Sequence, residues 1–268
     1  MSDPKADSDR LYQDPALAQF YDLENGWAAD FSFCQALAKD ARSVLDLGCG
    51  TGELALALAE DRTAEDRTAE DRTAEDRTIV GVEPAAAMLD VARGQPGGSK
   101  VTWHLSDAQS LRLDRRFDLI VLTGHAFQVF LTEADQRAVL NTIALHLNPE
   151  GRFIFDTRNP AAEAWRDWTP ERSRRRLQHP RLGAVEAWND AAHDAASGIV
   201  TYQTHYRVMA SGETLSAESR IRFTPREMLA PLLAEAGLTV DEWFGDWEGG
   251  SSRPSAPEII PLGRLVTP

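Results

Sequence analysis

The chain has 268 residues, 43% hydrophobic and 26% charged, with 18 Gly, 14 Pro and two Cys; this suits one large α/β domain with an elaboration and excludes a disulfide-stapled scaffold. Its 28 basic and 42 acidic side chains leave a formal net charge of −14, which repels a phosphate backbone and sets nucleic acid aside as a partner. The opening Met1-Ser-Asp-Pro-Lys lacks a secretory signal pattern and no apolar run approaches the ~20 residues of a membrane span, so a cytoplasmic protein with free thiols at Cys34 and Cys49 and no membrane contact is expected.

Leu11-Tyr-Gln-Asp-Pro15 and Phe20-Tyr-Asp-Leu23 read as helices of an N-terminal cap over residues 1–42. Ser43–Gly48 is the first predicted strand and Glu53–Ala59 the first helix after it. From Ala59 to Thr78 the sequence reads Ala-Glu-Asp-Arg-Thr four times without deviation. A period of five advances about 140° per copy around a helix, so the repeat makes no apolar stripe and is expected to be a solvated extension, with an acidic docking arm as the functional alternative. Further strands are expected at Thr78–Glu83, Val101–Asp107, Phe117–Thr123 and Arg152–Thr157, with a helix from Thr132, capped by Asp135, to Asn148-Pro149-Glu-Gly151. Short β-rich runs alternating with amphipathic helices predict an α/β fold, a Rossmann-like doubly wound sheet over a core of residues 43–158.

Past the fifth strand the pattern changes. Residues 159–223 form a predicted antiparallel insert on the substrate side, with strands at Ile199–Val208 and Ser219–Phe223. The basic cluster Arg172, Arg174, Arg175, Arg176 and Arg181 reads as a solvated run or a site for an anionic group. Trp165, Trp168, Trp188, Trp243 and Trp247 read as core or as an acceptor pocket. Residues 224–268 complete the sheet: a helix opened by Thr224-Pro225, then strands near Leu238–Phe244 and Glu258–Leu265, the sheet being mostly parallel with an antiparallel last strand. Gly249–Pro257 reads as a loop and candidate lid.

The sharpest chemical signal is Val44-Leu-Asp-Leu-Gly-Cys-Gly-Thr-Gly52, where a strand runs into a glycine turn and a helix start. Glycines there permit a tight turn and let a ligand approach the main chain. The spacing is GxGxG; Glu53 stands where the dinucleotide fingerprint GxGxxG needs Gly.

Asp46-Leu-Gly-Cys-Gly-Thr-Gly52 closely resembles motif I of the class I S-adenosylmethionine-dependent methyltransferases. The resemblance implies that Asp46, Gly48, Cys49, Gly50 and Gly52 cradle the methionine end of S-adenosylmethionine. Glu83, followed by Pro84, takes the ribose hydroxyls, a role a two-oxygen carboxylate suits. Gly52 and Glu83 are 31 residues apart, and taking out three five-residue copies leaves 16, near the family's spacing. Asp107, beside Ala108, would accept from the adenine amino group. Met88 packs on the adenine face or in the core; Thr123, leading to Gly124-His125, lies beneath the sulfonium; Tyr21, with Tyr12 in reserve, covers the cofactor or anchors a helix.

Methyl transfer from a sulfonium needs proximity, orientation and dryness more than a strong base. His125 is the candidate base, its other reading being a buried histidine bonded to a backbone carbonyl. Arg158 and Asn159 are expected to orient a carboxylate or hydroxyl of the acceptor. His205 and Tyr202 have opposite strand parity and cannot face one pocket together. No metal-ligand spacing or nucleophile elbow is present, so no metal is expected. The expected protein is a monomeric or homodimeric enzyme methylating an oxygen or nitrogen of a small molecule; a nicotinamide-dependent oxidoreductase and an inactive cofactor-binding module are the rivals.

Overall fold

A computed structural model describes residues 10–60 and 77–266. Three short helices, α1 (Arg10–Gln13), α2 (Pro15–Ala18) and α3 (Tyr21–Glu24), and a longer α4 (Ala29–Leu37) precede the sheet. Strands and helices then alternate: β1 (Ser43–Leu47), α5 (Glu53–Glu60), β2 (Thr78–Glu83), α6 (Ala86–Gly94), β3 (Thr102–Leu105), β4 (Phe117–Leu122), α7 (Glu133–His146) and β5 (Leu147–Phe155). A two-residue β6 (Thr157–Arg158), α8 (Pro170–Ser173), and strands β7 (Arg175–His179), β8 (Gly183–Asp194), β9 (Ile199–Val208) and β10 (Thr214–Arg222) follow. The chain then forms α9 (Arg226–Glu235), β11 (Leu238–Phe244) and β12 (Glu258–Leu265).

The main sheet has the order β11-β12-β5-β4-β1-β2-β3, with β6 beside β12. Strands β1 to β5 pair in parallel, and β12 runs antiparallel to both β5 and β11. Strand parity divides the core between two faces. Leu45, Leu47, Phe153 and Phe155 pack with Val139, Leu140 and Ile143 of α7 and Leu229, Leu232 and Leu233 of α9. Val44, Ile79 and Ile154 turn the other way, onto Cys34 of α4 and Leu54 and Leu58 of α5. The sheet is thus wound on both faces.

Helix α7 starts as its sequence requires, with Thr132 and Asp135 forming a reciprocal capping box. Its end differs from expectation. Leu147 pairs with Phe117 and Arg152 with Leu119, so residues 148–151 bulge within a strand already begun at Leu147. Strands β7 and β8 were not predicted either. Their alternation is masked by charged and small residues, because β8 buries only Val185 and Ala187 on its inner face.

Strands β7 to β10 make a second, antiparallel sheet of four strands. Its inner face, through Val185, Ala187, Tyr206 and Ala217, receives Leu17 and Phe20; Phe20 stacks on Tyr206 with centroids 4.3 Å apart. Ala18 and Tyr21 pack instead against Met88 of α6. The N-terminal helices therefore bridge the two sheets.

Most of the AEDRT repeat, residues 61–76, lies outside the described residues. Arg77, in the last copy, is not a solvated side chain: it donates to the carbonyls of Ala38 (2.6 Å), Lys39 (3.0 Å), Ala41 (3.0 Å) and Leu58 (3.3 Å). It thereby satisfies the open C-terminal end of α4.

Phe155 is fully buried and stacks on Phe127 at 4.5 Å. Phe155→Ala should lower unfolding free energy by about 3–5 kcal/mol, read as a lower urea midpoint at unchanged slope.

Candidate active site

The loop leaving β1 is positioned by its glycines. Gly48, Gly50 and Gly52 have φ of 74°, 54° and 84°, the left-handed region that other residues avoid. The Gly48 and Cys49 amides donate to Val82 O at 2.7 and 3.0 Å, tying the loop to β2. A Cβ on Gly52 would lie 2.6 Å from the Trp103 ring, so this glycine admits an indole; one on Gly50 would meet Tyr21 at 3.5 Å and Met88 at 3.6 Å, ordinary contact distances.

The carboxylate closing β2 completes the clamp. Glu83 accepts from Gly50 N at 3.1 Å and from Ala85 N at 2.9 Å. The β1 loop and the β2 turn are therefore held by one buried side chain. Thr51 Oγ1 donates to Asp22 Oδ1 at 2.6 Å, joining the same loop to α3.

The electrostatics here are one-sided. Burial pushes the Asp46 carboxyl up to about 7, with Glu83 and Asp30 adding to the shift. Burial first, and then Glu83, Asp22, Asp46 and Asp30, also raise the Tyr21 hydroxyl above its ordinary value. Asp30 Oδ1 is buried without a hydrogen-bond partner. These are the marks of a pocket suited to a cation. A small cavity opens at this point, lined in part by Asp46, Gly48, Cys49, Thr51 and Thr123.

A larger cavity of about 240 Å³ adjoins it, and Tyr21, Asn25 and Gly124 line both. Tyr202, Thr204 and Tyr206 line it from alternate positions of β9. His205, on the opposite face, stacks on Trp188 at 5.0 Å and lies 3.0 Å from Asp190 Oδ2. Arg175 donates to both oxygens of Glu24 at 2.6 and 2.8 Å, and Tyr206 Oη donates to Glu24 at 3.0 Å. This charge-assisted pair fixes α3 against the second sheet.

Beyond β4, His125 sits in the left-handed region with φ 62°. Its Nε2 lies 3.0 Å from Glu258 Oε1 and 3.5 Å from Asp156 Oδ2, while its backbone N donates to Asp156 Oδ1 at 2.9 Å. Asp156 also accepts from Trp247 Nε1 at 3.3 Å. Burial pushes the Asp156 carboxyl up, against the pull of His125.

Residues 38–212 match the methyltransferase domain family. The chain belongs to this family. A cypemycin N-terminal methyltransferase from a Streptomyces species is 28% identical over 166 residues, covering 60% of this chain; the chain spans only 60% of that relative's length. Among solved structures, the CcbJ methyltransferase of Streptomyces caelestis has a TM-score of 0.73 at 19% identity, covering 96% of this chain and 98% of that one. The sugar N-methyltransferase KedS8 of a Streptoalloteichus species has a TM-score of 0.67 at 20% identity, covering 91% of each chain. Both structures share this chain's fold.

Within this family member, Tyr21, Asp46, Gly48, Cys49, Gly50, Glu83, Met88 and Thr123 converge on the β1 loop. Met88 is at once a core residue, 1% exposed, and a neighbour of Gly50. Ala108 is buried in the core and Pro84 is exposed. Asp107 is exposed at the end of β3, where its Oδ1 accepts from Gln109 N at 2.8 Å; none of these three residues lines either of the two cavities. Arg158 does line the larger one.

Other predicted residues have settled partners in the structure. Asn159 is taken up by the main chain: Nδ2 donates to Pro254 O (3.0 Å) and Ala256 O (2.8 Å), and Oδ1 accepts from Ala161 N (3.1 Å). It holds the loop before β12 and does not line the larger cavity. In that loop Gly245 N donates to Gly250 O at 2.7 Å and Ala256 is buried. His125 bonds a carboxylate where a backbone carbonyl was the alternative. The tryptophans divide their work: Trp165 stacks on His193 and packs on Phe223, Trp168 packs on Phe223 and also lines the cavity, and Trp243 and Trp247 join the main core.

Glu24, Gln128, Asp156 and Glu258 were missed. Asp156 carried a signal in its place at the end of β5; Glu258 carried none, since its partner is 133 positions away.

Because Asp46 holds its proton more tightly folded than unfolded, ligand-free stability should fall as pH rises from about 4 through about 7. Asp46→Asn should remove that slope and be the more stable protein at about pH 8, checked by urea titrations across pH. A stability difference between wild type and Asp46→Asn that does not change with pH would refute the assignment.

Proposed function

We propose that the protein transfers the methyl group of S-adenosylmethionine to a nitrogen or oxygen of a small molecule held in the larger cavity. The carrying observation is the junction of the two cavities at Tyr21 and Gly124, one acidic and built on the β1 loop, the other polar and aromatic. The residues fit the cofactor. Asp46 lines the smaller cavity, and Glu83 and Asp30 act on it electrostatically, so a cationic ligand there would relieve that repulsion. Gly50 leaves space in front of Tyr21 and Met88 that a larger residue would crowd.

When bound, S-adenosylmethionine supplies an activated methyl group on a sulfonium. Glu83 offers two oxygens suited to a pair of ribose hydroxyls, and Asp46 balances positive charge at the methionine end. Tyr21 closes the cofactor side and orients the acceptor side, excluding water between them. His125 accepts the acceptor's proton: with Nε2–H directed to Glu258, Nδ1 is the basic nitrogen. The relative named for N-terminal methylation supports nitrogen as an acceptor atom. The acidic net charge supports a protein that leaves nucleic acid alone, and among the described residues no helix is long and apolar enough to cross a membrane; a cytoplasmic monomer or homodimer is part of the proposal.

The test is methyl transfer from radiolabelled S-adenosylmethionine to a panel of small amines and hydroxyl compounds. Glu83→Ala should raise KM for the cofactor about tenfold or more with a smaller change in kcat. Cofactor affinity should rise between about pH 6 and about pH 8 as Asp46 ionises, and this rise should vanish in Asp46→Asn. Transfer by wild type that is indifferent to Glu83→Ala would refute the cofactor assignment.

A further inference from the structure

Of the basic side chains lining the larger cavity, Arg158 alone makes no ion pair among the described residues, although Glu258 stands opposite it in the β6–β12 register. Arg175 is neutralised by Glu24, its Nη2 lying 2.6 Å from Oε1, and His125 faces Glu258 and Asp156. Arg158 has no carboxylate partner among the described residues. Its guanidinium lies over the Trp168 ring, 5.1 Å from the centroid, and its Nη1 donates to Gln128 Oε1 at 2.9 Å. The stacking and this single bond fix the plane of the guanidinium and leave other N–H groups of its fork uncommitted.

Gln128 supplies the second observation. It is fully buried and lines the same cavity, yet its Nε2 is a buried donor with no hydrogen-bond partner. An orphaned buried amide donor is costly and rare. Here it belongs to the side chain that already fixes Arg158, so a fixed cation and an unmet neutral donor sit together in one wall.

We infer that Arg158 and Gln128 form a carboxylate-binding subsite, so that the acceptor molecule bears a carboxylate beside the nitrogen or oxygen that is methylated. This rests on the function proposed above and narrows its substrate class. A planar monoanion matches one guanidinium fork and one amide donor. A phosphate dianion would lack a second unpaired cation, because Arg175 is already held by Glu24.

The probes are benzoate, hippurate and N-acetylglycine, each matched with its neutral amide, and phenyl phosphate, titrated against the full chain while the intrinsic tryptophan signal reports on Trp168. Calorimetry with S-adenosylhomocysteine on the same samples reads the cofactor half separately, so failure there counts against the methyltransferase mechanism and not against the subsite. Wild type should bind at least one carboxylate probe, and prefer it about tenfold or more over its amide and over phenyl phosphate. Arg158→Met, which keeps an apolar stem against Trp168, should erase the preference, and Arg158→Lys should restore part of it. Gln128→Met should weaken carboxylate binding without altering the response to the amides; near-ultraviolet circular dichroism checks each variant's fold. Equal binding of carboxylates and amides by wild type, binding of no carboxylate probe, a preference for phenyl phosphate, or a carboxylate preference that survives in a folded Arg158→Met would each overturn the assignment.

Discussion

The Glu83 carboxylate, accepting from Gly50 N and Ala85 N, is the interaction on which the site depends. Two chain reversals, one after β1 and one after β2, place main-chain donors at the carboxyl edge of the sheet, and one buried acid satisfies a donor from each. That solution puts negative charge beside Asp46 and Asp30, where burial already disfavours it. The site is therefore held together by a group that also leaves it electrostatically incomplete. A cationic ligand completes it, which is why stability without ligand and affinity for ligand should move in opposite directions with pH.

The second dependence is on the N-terminal helices. Adjacent positions of one short segment serve both halves of the molecule: Phe20 enters the second sheet against Tyr206, and Tyr21 turns to the main sheet against Met88 and the space before Gly50. Glu24, one turn on, is gripped by Arg175. The smaller cavity at the main sheet and the larger one beside the second sheet are thereby registered by a few residues. Proximity and orientation, the main requirements of methyl transfer from an activated donor, follow from that registration.

The main sheet was readable because its signals are local. A strand running into Gly48, Gly50 and Gly52, the capping box at Thr132, and the paired runs at Leu238 and Glu258 each announce themselves within a few residues. The second sheet was half readable: β9 alternates cleanly, while β7 hides in a basic cluster whose Arg175 is committed to an ion pair on a distant helix. The partnership of His125 with Glu258 and Asp156 is a product of strand order, because β12 enters the sheet beside β5 and brings residue 258 to the end of β4. Asn159 misled for a related reason: a polar residue at the end of a sheet strand looks available until the loop it holds is seen.

The central claim is that the β1 loop and its acids hold S-adenosylmethionine. Calorimetric titration with S-adenosylhomocysteine, with NAD as the control, tests it most directly. One-to-one binding of the homocysteine compound at about micromolar affinity, with no heat from NAD, is the expected result. Heat from NAD and none from S-adenosylhomocysteine would contradict the account, leaving the fold in place and the chemistry wrong.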